Sequence, residues 1–197
     1  MNTRGAETAC SQNRCARGTT THRRSSYDAR MPFGSAIANG LDLAIMYANG
    51  LCKTIPADKF AHMPKNDFNS PAFCIGHCAI YPHRVLELLS RKDLEVPNPA
   101  GWEELFKAGA PCVDKPGLYP SKDELMEHFT KGYGACSVAL KSAPDSVLSE
   151  ANPNEGRMKE MFPTKGGVIT FLCVGHPQSH LGQISMWRRV MGLGSAM

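Results

Sequence analysis

The sequence predicts an all-α protein, and more specifically a four-helix bundle. Apolar residues recur at steps of three and four over several long segments, which is the spacing of one helix face. Two of these segments begin with residues that cap helices. The β-branched stretch 166–171 favours a strand on local propensity, but no second convincing strand exists to pair with it.

Helix one is expected at residues 35–52, before Pro56. Its apolar face consists of Ile37, Leu41, Ala44, Ala48 and Leu51. Helix two begins where Ser70 can cap the helix and Pro71 suits its first turn, and it is expected to continue to about Ser90. The connection between the two helices indicates that they are antiparallel neighbours.

A long, proline-rich crossover follows at residues 91–120, with a short helix expected at 102–108. A connection of this length can carry the chain back over the bundle, so that helix three starts at the same end as helix two. Ser121 and Glu124 form the capping box of helix three. The apolar face of this helix consists of Leu125, Phe129, Tyr133, Cys136 and Leu140.

Helix four follows a second long connection, residues 144–165, and ends near Met191. We expect it to be helical from its β-branched start, with a kink at Pro177. The folded domain is therefore predicted at residues 31–197. Residues 1–30 have almost no large apolar side chains and are expected to be either a disordered basic tail or a mis-assigned start.

Charge and composition exclude two classes of partner. The formal net charge is +4, and the six arginines of residues 1–30, against two acids, account for all of it. The neutral remainder has no electrostatic footprint for nucleic acid, and no apolar run is long enough for a membrane span. The eight cysteines lack the spacing of a disulfide framework, which favours reduced thiols and a cytoplasmic location.

Three histidines are predicted to share one side of the bundle interior. His176 and His180 lie one turn apart on the inward stripe of helix four, and His77 lies on the inward stripe of helix two. Three neutral imidazoles can bind Zn, Ni, Fe or Co and leave a coordination position open. The alternative is that these residues are hydrogen-bonded core histidines without a metal.

Other residues near these histidines are weaker candidates. Tyr81 and Gln183 are candidates to orient the ligands, and Arg84, on the same inward stripe as His77, is a candidate contact for an anionic substrate group or else reaches solvent. Cys173 is either a fourth ligand or a small core residue. His83 is expected on the outer surface. No residue is assigned as catalytic.

Three motifs resemble the DinB superfamily of DinB/YfiT-like metalloenzymes: NSPAFCIGH at 69–77, SKDEL at 121–125 and GHPQSHLGQI at 175–184. The resemblance covers about residues 33–193. It implies a bundle of up-down-down-up order, a homodimer, and His77, His176 and His180 as the metal ligands. Relatives with known activity use low-molecular-weight thiols, which the metal is thought to activate.

The functional hypothesis is a metal-dependent enzyme acting on a small molecule. In it a divalent ion, with Zn or Ni favoured over Fe or Co, activates a low-molecular-weight thiol or water, as in a thiol S-transferase or a hydrolase. The alternative is a non-catalytic metal- or ligand-binding bundle, perhaps one linked to stress. Pro82 and Pro177 lie within the ligand-bearing helices and are positions where the geometry of the site can depart from the family pattern.

Overall fold

Four long helical segments form the frame of the protein in a computed structural model that describes residues 31–115 and 117–196. The predictions for residues 1–30 lie outside this described part. In chain order the α-helices are α1 (Phe33–Lys53), α2 (Pro71–Ala79), α3 (Pro82–Leu88), α4 (Trp102–Phe106), α5 (Lys122–Lys141), α6 (Asp145–Ser149), α7 (Arg157–Met161), α8 (Lys165–Thr170) and α9 (His176–Val190). The described residues form no strand beyond one isolated bridge between Ala151 and Thr164. The all-α prediction is therefore confirmed.

The predicted helix starts are confirmed at two positions. Ser70 accepts a hydrogen bond from the backbone N–H of Phe73, with Pro71 as the first residue of α2. Ser121 and Glu124 form the reciprocal capping box of α5. These caps satisfy backbone donors that have no partner within the first helical turn.

Helix two is interrupted, and the expectation of one continuous helix to about Ser90 is wrong. It consists of α2 and α3, which are separated at Ile80 and Tyr81. Pro82 has no N–H to donate, and its ring would clash with a carbonyl of the preceding turn in a straight helix. The bend packs closely against α5, because a Cβ added at Gly132 would lie 2.9 Å from Cγ of Pro82.

Helix four is helical from its β-branched start, as expected, but its irregularity is not a simple kink at Pro177. Residues Phe171–Gly175 form a π-turn between α8 and α9. A π-turn adds a residue to the turn that precedes Pro177, and the backbone there accommodates a residue with no N–H. The bend therefore lies one turn before the proline.

The four segments pack so that α1 and α2 are diagonal, and the expectation that they are neighbours is wrong. Helix α1 packs against α5 and α9, and α2 packs against the same two helices. The connection 54–70 is long enough to cross the end of the bundle.

Contacts between pairs of helices give their relative directions. Helices α1 and α5 are antiparallel, α3 and α5 are parallel, and α2 and α9 are antiparallel, which agrees with an up-down-down-up order. For α1 and α5 the contacts are Asp42–Lys141 and Ile55–Lys122. For α3 and α5 they are Pro82–Gly132 and Arg91–Ser142, and for α2 and α9 they are Asn69–Gln183 and His77–His176.

The interior is apolar and contains thiols. All six cysteines of the described part are free, and five of them are buried. Burial raises the pKa of the Cys136 thiol to about 12, so that this thiol stays protonated. This confirms the interpretation of these cysteines as small core residues. No helix of the described chain has both the length and the apolar character that crossing a bilayer requires.

A buried arginine joins the end of α1 to α9. Arg188 is 3% exposed and donates to the Leu51 carbonyl at 2.7 Å and to Oγ1 of Thr54 at 2.9 Å. Its second terminal nitrogen donates to the Leu193 carbonyl at 3.2 Å. A cation at a helix C-terminus also interacts favourably with the helix dipole.

We predict that Arg188→Ala lowers the free energy of unfolding by about 2–3 kcal/mol, because hydrogen bonds from a charged donor are lost and buried carbonyls lose their partner. The matched control is Arg189→Ala. Arg189 is exposed and donates only to Ser185 of its own helix. This control should stay within about 0.5 kcal/mol of wild type in urea unfolding. Equal losses in the two variants would contradict the role given to Arg188.

Candidate metal centre

The three predicted histidines meet at one point between α2 and α9. Nε2 of His77 lies 3.0 Å from Nε2 of His176, which lies 3.2 Å from Nε2 of His180. One ligand atom from each residue can be chosen so that all lie within 4.8 Å of one another. His77 comes from α2, and the other two come from successive turns of α9. The geometric prediction that two helices aim their imidazoles at a common point is confirmed.

In His77 and His180, a hydrogen bond at Nδ1 leaves Nε2 unprotonated, so that Nε2 presents a lone pair to the centre. Nδ1 of His77 lies 2.5 Å from the Phe106 carbonyl, which can only accept, so Nδ1 carries the proton. Nδ1 of His180 lies 3.3 Å from Oε1 of Gln183 and donates in the same way. Such contacts orient metal-binding histidines and raise the basicity of the free nitrogen.

His176 lies between these two lone pairs and cannot satisfy both. If its proton is on Nδ1, three lone pairs face one another, and that Nδ1 is buried with no hydrogen-bond partner among the described residues. If the proton is on Nε2, it serves one of the two contacts and leaves the other repulsive. A cation between the three nitrogens removes the conflict when the His176 proton is on Nδ1, because all three Nε2 lone pairs then face the cation.

The nitrogen separations fit a metal ion. Zinc–nitrogen bonds of about 2.0–2.1 Å in tetrahedral geometry place two ligand nitrogens about 3.3 Å apart. The observed separations of 3.0 and 3.2 Å are close to this value. The arrangement of the three histidines is therefore compatible with a bound metal ion.

The three imidazoles are kept neutral, which is the form that ligates metal. Burial, together with the neighbouring His180 and His77, lowers the pKa of His176 to about 3. Burial and His77 lower the pKa of His180 to about 4. Burial also lowers the pKa of His77. At neutral pH no proton has to be displaced from these rings before a cation binds.

Gln183 joins His180 to residues of and before α2 through its side-chain oxygen. Its Oε1 accepts from Nδ2 of Asn69 at 3.0 Å and from Sγ of Cys74 at 3.4 Å, besides its contact with His180. Asn69, the residue before the α2 cap, is absent from the sequence-based candidates. Its position in the NSPAFCIGH motif is the signal that could have identified it.

Tyr81 and Arg84 behave differently from each other. The Tyr81 ring lies edge-on to His77 and His176, with ring centroids 5.2 and 5.1 Å apart, and it is buried. Arg84 is exposed, forms an ion pair with Glu103 at 2.8 Å and lies over the Tyr81 ring. Arg84 thus reaches solvent, which is one of the two outcomes expected for it, although it also lines the pocket described below.

His83 also lies elsewhere than the sequence predicts. This residue was expected on the outer surface, but it is half-buried and lines the pocket beside the three histidines. Its Nδ1 lies 3.4 Å from Nδ2 of Asn98. Cys173 does not belong to the group of ligand atoms, and its buried position in the core fits the alternative interpretation.

Phe106 is a site residue that sequence reasoning does not find, because its contribution is a backbone carbonyl. The short crossover helix α4 places this carbonyl against His77. Gly76 makes the approach possible, since a Cβ there would lie 2.3–2.6 Å from three atoms of the Phe106 ring. A glycine inside a buried helix is the only sequence signal of such a close contact.

A pocket of about 980 Å³ opens beside the centre. His77, His176 and Tyr81 line it on one side, and the remaining lining comes from α3, α7, α8, the π-turn and the two long connections. His180 does not line this pocket. A molecule in the pocket can therefore reach the side of the centre formed by His77 and His176.

An all-helical frame around three inward imidazoles defines a helical protein with a site able to hold a metal ion. The family model described as DinB superfamily matches residues 41–184. The match covers well over half of the chain and includes all three histidines, so the chain belongs to the DinB superfamily. Neither the comparison with curated proteins nor that with solved structures finds a match.

We predict that Gly76→Ala displaces Phe106 and lowers the free energy of unfolding by about 1–3 kcal/mol through overpacking. The Nδ1 proton of His77 should lose its hydrogen bond, which imidazole ¹⁵N NMR of the metal-free protein detects. Gly134→Ala is the matched control, because an added Cβ meets no described atom within 4 Å there. It should be neutral or stabilising. An unchanged His77 signal in Gly76→Ala would contradict this account.

We also predict that acid destabilises the metal-free protein through these histidines. The folded pKa values of His176 and His180, about 3 and about 4, lie below the unfolded value of 6.5. The folded state thus binds fewer protons, and the stabilisation is complete above pH 6.5 and is lost as pH falls toward 3. Between about pH 7.5 and pH 5, His176 alone should account for about 2 kcal/mol. Urea unfolding with chelator should show a smaller loss for His176→Asn; an equal loss would refute the prediction.

Proposed function

We propose that the protein binds one divalent metal ion through His77, His176 and His180 and is a metal-dependent enzyme. The observation that carries the proposal is the convergence of three Nε2 atoms at separations suited to a common cation. Imidazole ligands suit Zn and Ni, with Fe and Co as alternatives. Three protein ligands leave at least one coordination position for a small molecule, which is the pattern of catalytic rather than structural zinc sites.

When bound, such an ion acidifies a thiol or water, so that it is a nucleophile near neutral pH. The chain's own residues then orient and shield the reaction. Phe106 and Gln183 hold the His77 and His180 rings in the ligating tautomer. The Tyr81 ring packs nearly at right angles to the rings of His77 and His176 and shields part of both from water.

Transfer of a low-molecular-weight thiol is favoured over hydrolysis. Pockets for small molecules range from about 300 to 1,000 Å³, and this one is at the upper end. It has room for two reactants, whereas hydrolysis needs room for one substrate and a water. The assignment to a thiol S-transferase type follows from this space and from family membership.

We predict that wild-type protein purified without added metal contains about one divalent ion per chain, and that His77→Ala and His180→Ala each contain a small fraction of that amount by elemental analysis. His83→Ala is the matched control, since His83 lines the same pocket but is outside the ligand group. Added zinc should raise the melting temperature of wild type and of His83→Ala, but not that of the two ligand variants. Equal metal content in wild type and both ligand variants would refute metal binding. Bound metal without thiol transfer to any electrophile would favour the non-catalytic alternative.

A further inference from the structure

We infer that the pocket beside the three histidines binds electrophiles with a neutral, apolar and preferably aromatic body, and discriminates against polyanions. This inference rests on the proposed function and deepens it by naming the class of substrate. Three observations on the pocket lining support it: an apolar wall, cations that are already paired with carboxylates, and carboxylates that repel anions.

One part of the pocket wall is apolar. It is formed by Leu88, Met158, Val168 and Leu172. Phe171 continues this wall to the centre, because its ring centroid lies 5.6 Å from that of His176. Phe162 stacks on Phe171 at 5.0 Å and holds the ring in place. A flat apolar group in the pocket would contact this surface while its reactive atom lies near the histidines.

The two cations of the lining are already paired with carboxylates outside it. Arg84 forms its ion pair with Glu103 at 2.8 Å, and Lys165 forms one with Glu150 at 2.7 Å. A phosphate or polycarboxylate would have to compete with these partners. The pocket therefore offers no unpaired Lys or Arg among its described lining residues, unlike sites that recognise phosphate or carboxylate through free guanidinium groups.

Two carboxylates in the lining work against anions directly. Glu87 and Glu155 both face the pocket. Glu87 is itself paired with Lys92, at 3.1 Å, but both side chains are more than half exposed, so this pairing is weak. Like charges brought close together are unfavourable, and the cost falls on a substrate with several negative charges.

The reaction that this pocket would serve is substitution on the apolar electrophile. The thiol sulfur forms a bond to the electrophilic carbon, and the bond from that carbon to its leaving group breaks. The leaving group departs with the electron pair, and the thiol proton passes to solvent. No oxidant or reductant is required.

The deciding experiment compares two probes of one skeleton, neutral phenylnaphthylamine and anionic anilinonaphthalene sulfonate, by fluorescence titration of the full, zinc-supplemented chain. We expect the neutral probe to bind at least about tenfold more tightly. Met158→Glu should weaken its binding by about tenfold or more, whereas the control Met186→Glu should not, since Met186 is exposed on α9 and outside the pocket. Met158→Leu should bind as wild type, and circular dichroism verifies that each variant folds.

Tighter binding of the sulfonate, or equal effects of Met158→Glu and Met186→Glu, would overturn the inference. A rate assay with mercaptoethanol should favour neutral chlorodinitrobenzene over anionic chlorodinitrobenzoate, and the reverse order would also overturn it. Metal analysis of the same samples separates the two ideas. If the protein contains no metal but still prefers the neutral probe, the proposed metal enzyme is refuted and the pocket inference is supported. If the protein contains metal but does not prefer the neutral probe, the pocket inference is refuted and metal binding is supported.

Discussion

The structure depends on one constraint, which is that imidazoles from two helices must meet within about a bond length of a common point. Two helices can meet this requirement only if α2 and α9 are antiparallel and in one register. The Asn69–Gln183 contact, one helical turn or more from the His77–His176 contact, sets that register. A slip of one turn along a helix would move each histidine by about 5.4 Å and separate the three nitrogens. The packing register of α2 against α9 therefore also determines whether the three histidines meet.

Both ligand-bearing segments are irregular where they approach the site. Helix two breaks at Pro82, just after His77 and Tyr81, and helix four contains a π-turn that ends at Gly175, just before His176. These irregularities interrupt the regular hydrogen bonding of the helices, which costs stability. They also place aromatic rings of Tyr81 and Phe171 against His176. Irregular backbone of this kind, including π-turns, occurs frequently at functional sites.

Groups outside the ligand helices complete the centre. The crossover contributes the Phe106 carbonyl to His77, and residues of α7 and α8 close the pocket. Long connections in compact domains tend to have functional roles, and here two of them supply parts of the site that the four long helices do not provide. The four long helical segments hold the histidines, while the connections orient one of them and shape the neighbouring pocket.

The sequence by itself determined the helical class, the helix caps, the DinB membership and the identity of the three converging histidines. Local sequence patterns indicate these features: a 3.6-residue period, a capping box, and an i, i+4 histidine pair. Only the tertiary structure decided that α1 and α2 are diagonal, that His83 lines the pocket, that Arg84 pairs with Glu103, and that Phe106 contacts His77. The physical reason is that these features depend on where a backbone bends and on a carbonyl from a distant segment. An argument from periodicity assumes that one regular helix continues through Pro82, whereas the helix is interrupted there, so residues on its two sides do not share the faces that the period predicts. Every residue has a backbone carbonyl, so no residue type indicates which one will meet His77.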